Sequence, residues 1–370
     1  MKNKIKILFC INSLSEKGGG AEKILSIVLN YLVTKNFDIS LITFDKKKSK
    51  FFYNFPKSIS VYCLGDYLFV KSKYLSNFSK IIIYIIYLLK IKPKIAFGFM
   101  HSTYVSLAIA SIFSKSKIVA CEHILPNHFL DKKLELFLIK IALIFIDKIT
   151  VVSDQVKNQF SKLFKAKIEV LNNIVDLSDY QKKTKHRRKK IILSVGRMVK
   201  QKNFTTLIKA FHLFYQKNKD WKLIIIGDGL ERQALVNEIK DLNLKKSVEL
   251  IDYKKNLKTY YQKSSIYVCS SIYESFGLTV AEALVQKLPC IAFKKCPGVN
   301  KIIKNGKNGL LINGNTNNYA ALSLRIGQLV NNKKKLKKMQ NFYDPNFLIK
   351  NRDEYVFKKW LTLINETVSP

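Results

Sequence analysis

Acidic residues are scarce in this chain of 370 residues. Only 26 Asp and Glu stand against 65 Lys and Arg, a formal net charge of +39. An imbalance of that size proposes an anionic partner: nucleic acid, a phosphate-rich membrane surface or an anionic substrate. A general richness in Lys, Ile and Asn, of the kind biased base composition produces, accounts for part of it. Cysteine is sparse as well. Cys10, Cys63, Cys121, Cys269, Cys290 and Cys296 form no CxxC pair and lie mostly in apolar runs. That argues against a disulfide framework or a zinc site and for reduced, buried thiols in a cytoplasmic protein. Prolines number 7 while 48% of residues are hydrophobic and 12% aromatic, which excludes a disordered or collagen-like chain. Long apolar runs are missing too. The longest uncharged one, residues 81–89, falls far short of the roughly 20 residues a membrane-spanning helix needs. The apolar run 7–11 follows a basic start, yet it is too short for a signal-peptide core and no cleavage site follows. A first β-strand is expected there.

The length suits two domains. Short β-branched runs at 5–11, 39–44, 59–64, 95–99, 118–121 and 148–152 alternate with amphipathic stretches, among them 21–34, 78–89 and 132–146. Residues 177–190 (LSDYQKKTKHRRKK) break that pattern and are expected to be an interdomain linker, because a core element could not bury so many unpaired cations. A second series follows at 191–195, 222–226, 248–251, 266–269 and 289–293, with helical segments such as 204–215 and 278–285. The expectation is α/β: two doubly wound, Rossmann-like domains, residues 1–180 and 190–345, facing across a cleft. An amphipathic tail, about 347–370, is expected to pack back on the first domain.

Three motifs carry chemistry. Gly18-Gly19-Gly20-Ala21-Glu22-Lys23 follows the first strand. Its glycines would let backbone N–H groups approach an anion at a helix N-terminus, although neither GxGxxG nor a P-loop lysine is present. Strand 191–195 runs into Gly196, Arg197 and Lys202, where a guanidinium fork and an ammonium could clamp a diphosphate. Ser271-Ile-Tyr-Glu274-Ser-Phe276-Gly277-Leu278-Thr-Val-Ala-Glu282 sets Glu274 at a helix entrance and Glu282 within that helix. The free amides near Phe276, Gly277 and Leu278 would point at a bound phosphate, and the carboxylates would accept hydrogen bonds from sugar and ribose hydroxyls.

These motifs, with Ile226-Gly-Asp-Gly229 between them, occur in the order found in retaining family 4 glycosyltransferases, and the chain resembles that family over essentially its whole length. Val152-Ser153, Asn172-Asn173-Ile174-Val175-Asp176 and Asn305-Gly-Lys-Asn-Gly309 match less specifically. The resemblance implies the two-domain GT-B fold. It implies that Arg197 and Lys202 hold the donor diphosphate, Glu282 the ribose and Glu274 the transferred sugar, with the Gly19–Gly20 backbone facing the reaction centre. It assigns the catalytic-site histidine to His123 at the end of the fifth strand, with His101 and His128 as rivals and Glu122 as an acceptor-side carboxylate.

The activity implied is transfer of a hexose or N-acetylhexosamine from a nucleotide diphosphate sugar, a UDP-sugar being expected, with retention at the anomeric carbon. There is no DxD motif and no histidine–carboxylate cluster at metal spacing, so neither a metal nor another cofactor is expected. The acceptor implied is a glycan, often on polyprenyl diphosphate, in bacterial surface-glycan assembly. That makes the enzyme cytoplasmic and peripheral at the inner face of the plasma membrane, where its cations attract anionic lipid. Residues 78–89 and 132–146 combine apolar, aromatic and Lys residues suited to a membrane interface or to ordinary core helices. Lys287, Asp252 and Lys301 depart from the family pattern around the donor pocket, where Gly, Gly and Glu are common. The alternatives are a non-catalytic nucleic-acid-binding protein, which charge alone favours, and a related epimerase or phosphorylase. No nucleic-acid module is recognisable, and the transferase reading takes no nucleic acid as partner.

Overall fold

Residues of the first strand alternate in destination. Ile7, Phe9 and Ile11 enter one apolar cluster, Leu8 and Cys10 another. A strand buried on both faces belongs in a parallel sheet with helices on either side, and that is what forms. The computed structural model describes residues 4–15, 18–68, 73–126, 132–164, 167–178, 188–342 and 344–369. The chain divides into two units, Met1–Ile174 with Glu354–Pro370, and Val175–Asp353.

The first unit runs β1 (Ile5–Ile11), α1 (Gly20–Leu32), β2 (Phe37–Thr43), β3 (Ser60–Cys63), α2 (Lys73–Ile91), β4 (Ile95–Phe99), α3 (His101–Ala110), β5 (Lys117–Glu122), α4 (Lys133–Ala142), β6 (Lys148–Val151), α5 (Asp154–Leu163) and β7 (Ile168–Val170). Its sheet has the order β3-β2-β1-β4-β5-β6-β7, all pairs parallel. Helix α1 covers one face with Leu25, Val28, Leu29 and Leu32; α2 and α3 cover the other with Tyr84, Leu88 and Leu107. The chain order reverses between β1 and β4, so ligands collect beyond the carboxyl ends of those strands.

The second unit runs β8 (Ile191–Val195), α6 (Phe204–Tyr215), β9 (Lys222–Ile226), α7 (Arg232–Asp241), β10 (Val248–Ile251), α8 (Lys258–Lys263), β11 (Ile266–Cys269), α9 (Leu278–Val285), β12 (Cys290–Phe293), α10 (Val299–Ile302), β13 (Gly309–Ile312), α11 (Tyr319–Val330), α12 (Lys333–Gln340) and α13 (Pro345–Asn351). Its parallel sheet has the order β10-β9-β8-β11-β12-β13. The reversal here lies between β8 and β11. That pairing (Ile192 beside Ile266) brings together loops some 70 residues apart in sequence.

The tail differs from the single helix expected. Pro345 and the Asp344 cap, whose side chain accepts from the Phe347 amide, start α13; Arg352 is extended and ends it. A new helix, α14 (Asp353–Val368), then places Val356, Trp360, Leu363 and Ile364 in the same cluster as Phe9 and Leu25. The i, i+4, i+7, i+8 spacing gives one apolar face, and each such buried side chain contributes about 1.5–3 kcal/mol. Lys148, itself buried, adds ion pairs to Glu169 (3.0 Å) and Glu366 (2.8 Å).

Within the run 177–190, expected to be a linker, residues 179–187 lie outside the described ones; Arg188, near its end, is anchored in the second unit. Its guanidinium is mostly buried and donates to the carbonyls of Tyr261 (3.0 Å), Ser264 (2.7 Å), Gln286 (2.7 Å) and Lys287 (3.1 Å). Those carbonyls belong to the C-terminal ends of α8 and α9, which carry partial negative charge.

At the end of α9, Lys287 occupies a left-handed conformation, φ 56°. Leu288 N–H donates to the Ala283 carbonyl and Lys287 N–H to that of Leu284, both at 2.9 Å. This is the bond pair that usually ends on glycine. Lys287→Gly is therefore expected to stabilise the second unit by about 0.5–1 kcal/mol, measured as a higher urea midpoint at unchanged slope.

Candidate active site

In the second unit the residues expected to bind a donor meet at the β8–β11 reversal. The turn 200–202 after β8 is tied to the loop after β11 by three bonds. Ile272 N–H donates to the Gln201 carbonyl (2.9 Å), Gln201 Nε2 to the Tyr273 carbonyl (2.8 Å), and Ser270 Oγ to the Lys202 carbonyl (2.8 Å). Lys202 Nζ thereby reaches Glu274 Oε1 at 2.5 Å, and Ser271 Oγ donates to the same oxygen at 2.6 Å. Burial disfavours the Lys202 ammonium, but Glu274, with help from Cys269 and Tyr253, holds its pKa above the ordinary value. The pair is mostly buried, at 16% and 14% side-chain exposure. Arg197, on the same loop, is exposed and makes no side-chain hydrogen bond or ion pair among the described residues. Burial and the Glu274 carboxylate raise the nearby Tyr273 phenol above its ordinary pKa, against the opposing pull of the Arg197 guanidinium.

Two glycines make this arrangement possible. A Cβ on Gly298 (φ +79°) would lie 2.3 Å from the Glu274 carbonyl oxygen, so the 296–298 loop can support the 274 loop only without a side chain. Gly277 (φ 86°) is the N-cap of α9, and a Cβ there would meet Val299 at 2.5 Å. Its left-handed backbone turns the chain abruptly from Glu274 into the helix, with Phe276 buried and Leu278 half-buried. Glu282, a little more than a turn into α9, accepts from Tyr261 Oη at 3.0 Å. No sequence signal marked Tyr261, since it comes from α8 before the strand.

The first unit holds the remaining candidates. Asp45 fixes the loop after β1, accepting from Ser13 Oγ (2.6 Å) and Leu14 N–H (2.7 Å). That loop leads to Gly18 (φ 62°), to the Gly19 N-cap and to Gly20, the first residue of α1. The Glu22 carboxylate lies directly over Gly19, where a Cβ would clash with Oε2. The N-terminus of α1 thus already has an anion from its own first turn.

His123 follows β5 and stacks on Phe99, ring centroids 5.4 Å apart. Burial pulls its imidazole down to about 4, so it is neutral at physiological pH. It lines a cavity of about 10 Å³ with Thr150, Asn172, Asn173 and Trp360. Asn173 adds a buried Oδ1 that has no hydrogen-bond partner among the described residues, a polar group to which the motif it belongs to assigns no role.

Glu122 departs from the acceptor-side expectation. It is fully buried, accepting from Tyr104 Oη (3.0 Å) and Ile124 N–H (2.8 Å), with His101 Nδ1 at 3.5 Å. A carboxylate enclosed in this way has no surface to offer an acceptor; it ties the start of α3 to the end of β5. Glu122 and Glu135 in turn raise the His101 pKa against the effect of burial. His128 lies outside the described residues.

Two parallel-sheet units of this topology, one carrying a cation–carboxylate pair at its strand reversal beside a glycine-capped helix, define an α/β transferase of the GT-B type. Solved structures agree on the fold. A sucrose-phosphate synthase from Thermosynechococcus elongatus superposes at TM-score 0.84 with 15% identity, covering 98% of this chain and 99% of its own. Anabaena HepE in complex with UDP and glucose superposes at 0.78 with 17% identity, covering 98% and 100%. The model for the glycosyl transferases group 1 matches residues 177–343. An uncharacterized glycosyltransferase of Haemophilus influenzae is 28% identical over 88% of this chain and 91% of its own. The amylovoran biosynthesis glycosyltransferase AmsD of Erwinia amylovora is 25% identical over 97% and 99%. A Campylobacter jejuni GalNAc-alpha-(1->4)-GalNAc-alpha-(1->3)-diNAcBac-PP-undecaprenol alpha-1,4-N-acetyl-D-galactosaminyltransferase is 26% identical over 98% and 99%. The family match lies in residues 177–343, and the relatives along nearly the whole chain are glycosyltransferases; the chain is a glycosyltransferase. It is an enzyme, and the non-catalytic reading that its charge favoured gives way.

Proposed function

We propose that this enzyme transfers a hexose or N-acetylhexosamine from a UDP-sugar to a lipid-linked glycan in surface-polysaccharide or glycoconjugate assembly. Transfer proceeds with retention and without a metal, at the inner face of the plasma membrane. The observation that carries this reading is the Lys202–Glu274 pair before the glycine-capped N-terminus of α9, inside the stretch that matches the family. Lys202 and Arg197 receive the donor diphosphate, and the α9 amides add partial positive charge. Together they stabilise the leaving nucleotide in the role a divalent ion would otherwise fill. Glu282 accepts from the ribose, and Glu274 accepts from a sugar hydroxyl while orienting Lys202. His123, kept neutral by burial, serves as the catalytic-site histidine, and a donor phosphate oxygen takes the acceptor proton. The acceptor class rests on the undecaprenol-linked substrate in the name of the Campylobacter relative and on the polysaccharide named for AmsD; the nucleotide rests on the UDP of the HepE complex.

The test is incubation with a panel of UDP-sugars and polyprenyl-diphosphate-linked glycans, with and without EDTA. Mass spectrometry should show one added sugar, NMR an α-linkage from an α-donor, and EDTA no change in rate. Absence of transfer from every UDP-sugar would overturn the donor assignment. A β-linked product would overturn retention, and loss of activity in EDTA the metal-free mechanism.

A further inference from the structure

Helix α2 presents an apolar side to its own sheet and a second one away from it. Ile83, Tyr84 and Leu88 pack inward. Phe78, Ile82, Ile86 and Leu89, at spacings of three and four, form a continuous exposed stripe on the opposite side, with Phe78 at 59% and Ile86 at 54% exposure. Helices α2, α3 and α4 form one layer, α3 contacting both neighbours. The layer exposes further large apolar groups at Ile112 and Phe113, just after α3, and at Phe137 on α4. Scattered exposed apolar residues need no explanation; a stripe along a whole helix does.

We infer that this helix layer is a docking surface for an anionic phospholipid bilayer, with the outer stripe of α2 inserted at the interface. The inference extends the membrane reading above by naming the surface and its mode of contact. Charge selects the occupant. Helix α2 contains no Asp or Glu, and its end continues into exposed Lys90, Lys92 and Lys94, while Lys132 and Lys133 are exposed at the start of α4. An interfacial helix needs this combination: side chains that enter the acyl boundary and cations that meet phosphate headgroups. No described helix is long and apolar enough to cross a membrane, so the contact lies along the surface. A self-associating face would gain from complementary charges, and α2 offers none.

Flotation of the full-length enzyme with phosphatidylcholine vesicles, with and without phosphatidylglycerol, tests this. The parent should bind the anionic vesicles, less at high salt, and weakly or not at all the neutral ones. The variant Phe78→Ser/Ile82→Ser/Ile86→Ser changes only exposed positions, and its binding should fall about a hundredfold with an unchanged melting transition. Undiminished binding by a folded variant overturns the inference. So does a parent that ignores vesicles but sediments as a dimer which the variant dissociates. Transfer from the UDP-sugar to a detergent-solubilised acceptor is measured in parallel. If transfer fails in the parent while the vesicle results hold, the functional reading falls and the docking surface stands.

Discussion

Replacing Lys202 by methionine lowers kcat/KM for the nucleotide sugar by about 100- to 1,000-fold, the usual cost of removing one preorganised group that stabilises a developing anion. The geometry makes this more than the loss of one surface cation. Lys202 is held by Glu274, its carbonyl by Ser270, so the ammonium is positioned before the donor arrives and needs no ordering at the moment of bond cleavage. Its removal also strands Glu274, which keeps only the Ser271 hydroxyl on Oε1. A mostly buried carboxylate without its cation is unfavourable, and the second unit should lose about 2 kcal/mol of stability. The two effects separate in the double variant Lys202→Met/Glu274→Gln. Neutralising both partners should restore most of the stability and none of the activity. Steady-state kinetics with urea melts of all four proteins provide the measurement. Near-normal turnover by a folded Lys202→Met enzyme would remove Lys202 from the diphosphate site.

How much of this was legible beforehand follows the physics of each element. Strands β1, β4, β8, β9 and β11 coincide with the apolar runs because strands covered on both faces read as near-continuous apolar stretches; the edge strand β10 coincides as well, although Glu249 on it is exposed. β7 and β13 were not expected: β7 has three residues, and β13 begins at Gly309 inside a turn motif. The donor motifs were readable because Gly277, Glu274 and Lys202 lie in short windows with a strand before each. What joins them was not. The Lys202–Glu274 bond spans 72 positions, and it exists because β8 and β11 become neighbours only through the crossover. Glu122 shows the opposite failure. A carboxylate at a strand end looks exposed from sequence, and its enclosure depends on Tyr104 and His101 from α3.

Arg188→Ala should produce the largest loss of stability, about 3–5 kcal/mol in the second unit. Burial lowers the guanidinium pKa to about 10, so it remains charged at neutral pH and is anchored entirely by carbonyl oxygens. Truncation would leave the ends of α8 and α9 without that donor fork, and each charge-assisted bond contributes about 1.5–3 kcal/mol before non-additivity. Lysine should recover only a small part, because an ammonium lacks the planar fork that spans two helix ends. The chain carries its own reporters. Its two tryptophans, Trp221 and Trp360, lie in the cores of the second and first units respectively. In a Trp360→Phe background, fluorescence follows the second unit alone, and Arg188→Ala should lower its urea midpoint sharply. In a Trp221→Phe background the first unit's transition should move much less. An unchanged Trp221 transition would mean that the carbonyls find other donors at little cost, and that the basic segment before β8 is the plain tether its composition suggested.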